Sequence, residues 1–320
     1  MPTWNGGPRF REVLEALRDQ DWPERFELVV IDSGSRDGTR ELAAQFGAFV
    51  TTIPQSEFNH GATRNRGIAL SHGELVILLT QDAKPMNASF VREMVAAFDD
   101  STIDGVYARQ FGMPDMDPIL KERLRRWSGA RSESVTQALV PGDRAASRAK
   151  FDALEPMERY LTSAFDNVAS AVRRSSWERH PLPARDFGED VAWAREMLLA
   201  GGSIRFSATA HVEHSHPISI KREFKRLYCD HKNLIALFGL RTVPTWSHPF
   251  RGWRGQVRFY GELIDASDEL PWHERLYWKA YSVPYALAEG VAQFLGARSH
   301  WKTQESRFWK WVDGRLTHGV

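Results

Sequence analysis

The chain has 320 residues, 42% of them hydrophobic and 26% charged, with a formal net charge of +1. This is the composition of a globular protein long enough for one large domain or a domain with an appendage, and the near-neutral charge with no recognisable module argues against a nucleic-acid binder. Cys229 is the single cysteine, which excludes an internal disulfide and a cysteine-rich zinc module; no apolar run reaches the roughly 18–20 residues needed to cross a bilayer, and the first five residues do not read as a leader.

In chain order, Pro2-Thr3-Trp4-Asn5-Gly6-Gly7-Pro8 reads as the loop after a strand, although no strand precedes it. Residues 9–19 read as a helix with Phe10, Val13, Leu14 and Leu17 on one face. A short apolar run, Leu28 to Ile31, then ends in Asp32 and a small-residue loop, Ser33-Gly34-Ser35-Arg36-Asp37-Gly38-Thr39. Buried parallel strands read as such continuous runs, and ligands of open α/β sheets lie beyond the carboxyl ends of the strands. A helix over 39–46, a short strand over 49–53 and a helix opened by Asn59-His60-Gly61-Ala62-Thr63-Arg64-Asn65-Arg66-Gly67 follow. Leu75 to Leu79 is the most strand-like run and delivers Thr80-Gln81-Asp82-Ala83 to the same edge. A helix over 87–98 and a strand over 103–110 complete an alternation typical of a sheet covered on both faces.

Residues 112–118 are rich in proline and aspartate, 119–127 are compatible with a helix, and 128–150 are polar and rich in serine, alanine and arginine. A strand is expected over 165–172. Gly188-Glu189-Asp190 opens a helix over 191–200, and a strand over 204–210 runs into His211-Val212-Glu213-His214-Ser215-His216. From residue 218 onward the pattern is helical and dense in tryptophan and tyrosine. The expected division is 1–240 for the α/β domain and 241–320 for an aromatic-rich helical extension, with the boundary in 240–249.

Three acidic stations and a histidine pair carry the candidate chemistry: Asp32, Asp82, Glu189 with Asp190, and His214 with His216. Hard divalent cations prefer oxygen ligands, and imidazole suits the manganese-to-zinc range. A carboxylate at a helix start is ordinarily capping and dipole compensation, worth about 0.3–1 kcal/mol. At a ligand-facing sheet edge it is also placed to take a proton from an incoming hydroxyl.

These motifs, in this order, resemble the family-2 glycosyltransferases of GT-A fold, and the Gln81-Asp82-Ala83 form, the Phe58-Asn59-His60-Gly61 turn and His214-Ser215-His216 resemble its bacterial rhamnosyltransferase-like branch. The resemblance covers about residues 2–235. It implies an α/β GT-A fold with a mostly parallel central sheet and a C-terminal α-helical extension. It implies an inverting transfer of rhamnose or a similar hexose from a dTDP- or UDP-sugar to a hydroxyl of a polysaccharide or lipid-linked glycan, assisted by Mn²⁺ or Mg²⁺. Thr3, Asp32, Arg64, Asn65, Asp82 and Asn167 would contact the nucleotide sugar. Asp82 with His214 or His216 would hold the metal. Asp190 would be the general base, with Glu189 beside it. Two departures stand out: Thr80 occupies the place of the usual first acid of the metal motif, and the family's first strand is missing before Pro2. A catalytically silent nucleotide-sugar binder and a membrane-surface scaffold are the rival readings. The expected location is cytoplasmic, and peripheral contact with the inner face of the plasma membrane or a homo-oligomer through the C-terminal helices stays open.

Overall fold

The structure is a computed structural model that describes residues 1–24, 26–114, 116–129, 131–185, 187–214, 219–267 and 270–317. By internal packing it falls into two units, residues 1–113 with 124–215, and residues 114–123 with 216–320.

The first unit holds nine strands: β1 (Pro2–Thr3), β2 (Val29–Asp32), β3 (Phe49–Thr52), β4 (Leu75–Leu79), β5 (Lys84–Pro85), β6 (Ile103–Phe111), β7 (Val135–Ala138), β8 (Ala169–Arg173) and β9 (Ser203–Glu213). Its helices are α1 (Gly7–Arg18), α2 (Thr39–Gln45), α3 (His60–Leu70) and α4 (Phe90–Ala96), and after α5 (Pro118–Leu124), which begins in the second unit, α6 (Arg144–Ala153), α7 (Pro156–Thr162), α8 (Arg174–Arg179) and α9 (Glu189–Leu199). The helices of the second unit are α10 (Ile220–Phe238), α11 (His248–Asp265), α12 (Trp272–Glu305) and α13 (Arg307–Thr317).

One sheet, β1-β2-β3, is parallel throughout. The other runs β4-β8-β6-β9-β5, with β7 also on β9; only β6 and β9 pair in parallel. The strand expected to be missing is therefore present in short form. Pro2 and Thr3 pair with Ile31 and Asp32, and the amino group of Met1 donates to the carbonyl of Val29 at 2.8 Å. Proline removes one donor from the ladder, which edge positions tolerate. Parallel β1 and β2 end side by side, so the loops after Thr3 and Asp32 rise from one edge.

The long β6 and β9 act as a ruler. Their parallel register runs to Phe111 opposite Glu213, with irregular steps that let the strands curl; the amide of His214 continues the pairing by donating to Phe111 at 2.9 Å. Two apolar clusters lock the strands to the helices. Phe90 and Met94 of α4 pack with Val106, Ala171 and Val212. Phe10 and Leu14 of α1 pack with Val30 and Ala43. Each aromatic or branched side chain buried this way contributes about 1.5–3 kcal/mol relative to leaving it exposed.

In the second unit, α12 packs along α10 and α11, so the helical assembly begins with α10 at 220 rather than in 240–249. Polar contacts run through its packing. Arg123 meets Glu223 at 3.0 Å and the Tyr285 hydroxyl at 2.8 Å, and Tyr260 donates to Glu289 at 2.7 Å. Among the described residues no helix is long and apolar enough to cross a membrane.

Candidate active site

The first half of the site is a loop scaffold. Asp32, fully buried, spends both carboxylate oxygens inside the protein. Oδ1 accepts from the amides of Gly34 and Ser35 at 3.0 and 2.9 Å, and Oδ2 accepts from the hydroxyls of Thr3 and Ser35 at 3.0 and 2.5 Å. Charged acceptors of backbone amides are among the stronger hydrogen bonds. Thr3 and Asp32, expected to contact the nucleoside, are thus brought together, yet as the staple that shapes the two loops; neither side chain faces solvent. The loops they hold present Trp4, whose amide donates to Gln81 Oε1 at 2.8 Å while Gln81 Nε2 returns a bond to the Trp4 carbonyl at 3.1 Å. Gln81 ties the β1 loop to the β4 loop, a role the sequence did not suggest.

The second half is a metal-type pair. Asp82, just past β4, lies 3.5 Å from His214 Nε2, just past β9. Burial opposes ionisation of Asp82, but hydrogen bonds from His214 and Thr80 and the charge on His214 outweigh it and hold the carboxyl down at about 2. A fully ionised carboxylate beside an imidazole is a donor set that suits a divalent cation. Among the described residues no three His, Cys, Asp or Glu side chains gather closely enough to hold an ion unaided, so the remaining ligands would have to come from a bound anion and water. His216, the other candidate, lies outside the described residues. Thr80 bonds the Val168 carbonyl through its amide at 3.0 Å and its hydroxyl at 3.4 Å. The hydroxyl bond is one an aspartate could not donate, and the pairing joins the Asp82 loop to the start of β8.

Arg9 of α1 braces this pair. Its Nε donates to the Asp82 carbonyl at 3.2 Å, and Nη2 donates to the Glu213 carbonyl at 3.0 Å and to Glu213 Oε1 at 3.3 Å. Glu12 takes Nη1 at 2.7 Å and Lys84 at 3.3 Å. One planar fork thereby fixes the residues on which Asp82 and His214 hang, a geometry lysine could not reproduce.

The third part is a pair of neighbouring carboxylates in opposite environments. Gly188 adopts φ 70°, a left-handed turn that opens α9 and aims Glu189 and Asp190 into the site. Glu189, buried, pairs with Arg64 of α3 at 3.0 Å and accepts from Asn167 Nδ2 at 3.1 Å. Burial would raise its pKa, but Arg64, His60 and Asn167 hold it low. Among the described residues Asp190 accepts from amides, those of Asn167 at 3.3 Å and Val191 at 2.8 Å. Burial first, then the charges of Glu189 and Asp166, push its carboxyl well above the ordinary range. A divergent carboxylate pair is a known arrangement for assigning acid and base roles. Asp166, which the sequence reading passed over, accepts from Gln110 at 2.6 Å and Trp127 at 3.2 Å.

The structure therefore gathers Arg64, Asn167, Glu189 and Asp190 into one network. Asn65 does not join it. Its carboxamide donates to the Leu182 carbonyl at 2.8 Å and accepts from Trp177 at 2.8 Å and the Leu182 amide at 3.1 Å. Consecutive helical residues point about 100° apart, so with Arg64 facing the site Asn65 faces the 182–184 loop instead. Gly61 seats the same loop: a Cβ there would lie 1.9 Å from the Pro183 carbonyl.

Residues 1–139 match the family model described as glycosyl transferase family 2. Over 314 residues the chain is 31% identical to the O-antigen chain rhamnosyltransferase RfbN of Salmonella typhimurium, covering 95% of this chain and 89% of that one. The chain belongs to glycosyl transferase family 2. It is likewise 31% identical, over 313 residues, to the O-antigen chain rhamnosyltransferase WbaN of Salmonella anatum, covering 95% of this chain and 89% of the relative. In fold this family-2 enzyme is similar to glucosyl-3-phosphoglycerate synthase of Mycobacterium tuberculosis, at TM-score 0.50 and 18% identity, over 77% of this chain and 80% of that one. The parallel sheet, the curled mixed sheet and the C-terminal helices are those of a GT-A glycosyltransferase with a helical extension.

Proposed function

We propose that this glycosyltransferase moves rhamnose or a similar hexose from a dTDP- or UDP-sugar to a hydroxyl of a growing surface polysaccharide or lipid-linked glycan on the cytoplasmic side, with inversion at the anomeric carbon. The observation that carries the reading is the split between Glu189 and Asp190. Glu189 is spent on Arg64 and stays ionised. Among the described residues Asp190 pairs with no cation, so its ionised form is a strong base held among hydrogen bonds that fix its direction. An acceptor hydroxyl at Asp190 would lose its proton as its oxygen attacks C1. One carboxylate acting as base, with no second one placed as a nucleophile among the described residues, is the pattern of single-displacement glycosyl transfer.

Asp82 and His214 are proposed to hold a divalent metal, which when bound would neutralise the departing diphosphate. Arg64 and Asn167 would line the same edge and fix the Asp190 side of the cleft. The loops stapled by Thr3 and Asp32 would receive the nucleoside through Trp4 and backbone groups. The O-antigen chain rhamnosyltransferases that the chain resembles over most of its length support rhamnose and a glycan acceptor. The related fold of the mycobacterial synthase, whose structure holds Mn²⁺ and uridine diphosphate, supports a metal and a nucleotide.

The test is a panel of dTDP- and UDP-sugars, each with Mn²⁺, Mg²⁺ or chelator, assayed by donor binding and by turnover on a glycan acceptor. Wild type should turn over one donor in a metal-dependent way, giving a product of inverted configuration. Asp190→Asn should bind the same donor and fail to transfer. Equal turnover by the variant would remove Asp190 from the mechanism.

A further inference from the structure

The helix at the end of the described chain has two unlike faces. α13 is held by its inner side: Asp313 pairs with Lys232 at 2.7 Å and accepts from the Tyr228 hydroxyl at 2.8 Å. Its other side is exposed and carries Arg307, Phe308, Lys310, Trp311 and Arg315. Phe308 and Trp311 are 61% and 60% exposed, large apolar side chains set between cations. Phe308 stacks on Trp311 with centroids 6.3 Å apart, and the Arg315 guanidinium lies over the Trp311 ring at 5.6 Å.

Between this helix and the start of α10 lies an open cavity of about 720 Å³. Lys221, Lys225, Lys310 and Arg315 line it together with Phe224 and Trp311. The bias extends beyond the cavity. Residues 216–320 carry 16 lysines and arginines against 10 acids, whereas the whole chain is nearly balanced. Three of those acids are tied up within the unit: Glu223 on Arg123, Asp265 on Lys279 and Asp313 on Lys232.

We infer that the α10–α13 cavity with the outer face of α13 is a docking site for the phosphate headgroups of an anionic lipid bilayer. Each half of the feature asks for this partner. Cations converging from two helices call for phosphate. Exposed tryptophan and phenylalanine among those cations have no use for a soluble anion, but they suit the headgroup level of a membrane, where aromatic rings partition and basic residues meet lipid phosphate. A second copy of the chain fits poorly, because a two-fold contact would set like charges against one another. The proposal stands apart from the transfer reaction, and its test reads no turnover.

The experiment is flotation of the full-length protein with vesicles of phosphatidylcholine alone, or of phosphatidylcholine mixed with phosphatidylglycerol. Wild type should float with the anionic vesicles and stay down with the neutral ones, and salt should release it. At about 1 kcal/mol for each basic residue near such a surface, Lys310→Gln with Arg315→Gln should weaken partition about 30-fold. Trp311→Ala should also weaken it, while the thermal melting of both variants stays at the wild-type value. Equal flotation on neutral vesicles would overturn the inference. So would tight binding of inorganic pyrophosphate at this site without flotation, or a concentration-dependent dimer that the double variant dissolves while no vesicle is bound.

Discussion

Asp82, just past β4, and Asp190, in the first turn of α9, are the same side chain, and the protein drives them in opposite directions. Asp82 faces His214, a group able to carry positive charge, and its carboxyl sits at about 2. Asp190 faces Glu189 and Asp166, and its carboxyl is pushed up. Both are penalised by burial; the sign of the neighbour decides. The difference shows how a fold allots roles to identical residues. Arg64, buried beside Glu189, is committed to it. That leaves Asp190 proton-hungry, while the bonds from His214 and Thr80 keep Asp82 anionic at neutral pH.

The comparison breaks most completely at Asp190. Asp190→Asn should lower turnover by about 10²–10⁴-fold, the usual contribution of a general base, with donor affinity unchanged in a titration. Glu189→Gln attacks the same end through stability. It strands Arg64 in the interior, and breaking a buried pair from one side costs about 3–5 kcal/mol; a melting curve should show a drop of many degrees. Where the variant folds, removing the Glu189 charge should lower the Asp190 pKa and move the acidic limb of the pH–rate profile to lower pH. An unmoved limb would mean that Glu189 does not tune the base.

Much of this edge was legible beforehand because it is written in strand ends. Val29 to Asp32 and Leu75 to Asp82 announce themselves as apolar runs stopped by polar loops, and Gly188-Glu189-Asp190 announces a helix start. What those runs did not disclose is where each side chain's capacity goes. Asp32 looks like a ligand-facing carboxylate, yet Gly34, Ser35 and Thr3 fill its oxygens. Asn65 stands beside Arg64 in sequence, but helical geometry turns it to another neighbour. The short β1 was hidden because two residues are too few to show a period. Arg9 had no local signal at all. Its partners, Asp82 and Glu213, are 73 and 204 residues away, and long-range hydrogen bonds to carbonyls leave no mark on composition or spacing.

At the other end, His214→Ala should spare the fold and weaken the response to Mn²⁺. Loss of one of the proposed protein donors should raise the Mn²⁺ concentration for half-maximal activity by at least the 10–100-fold typical of disturbing a metal's supporting shell. The same substitution should raise the Asp82 pKa by removing the partner that holds it down, so nuclear magnetic resonance of the Asp82 carboxyl offers a readout independent of catalysis. A value still near the wild-type one would show that His214 is not the cause of the depression.

The pH dependence of stability separates the two ends more gently. A carboxyl depressed in the folded state, as Asp82 is, favours folding above its unfolded pKa; that contribution fades as pH falls from the ordinary aspartate value towards about 2. A raised carboxyl, as Asp190 is, favours folding most at low pH, where native and unfolded chains both hold the proton. Its contribution turns against folding as pH climbs from the ordinary value through the raised one, because the unfolded chain ionises first. Asp190→Asn removes only the second effect. The variant's stability should therefore approach or exceed that of wild type as pH rises towards neutrality, while below the ordinary aspartate pKa the Asp82 loss persists in both. Urea unfolding at a series of pH values reads the difference directly. If the gap between the two proteins is the same at every pH, Asp190 is not held above its ordinary value, and the contrast with Asp82 fails at its weaker end.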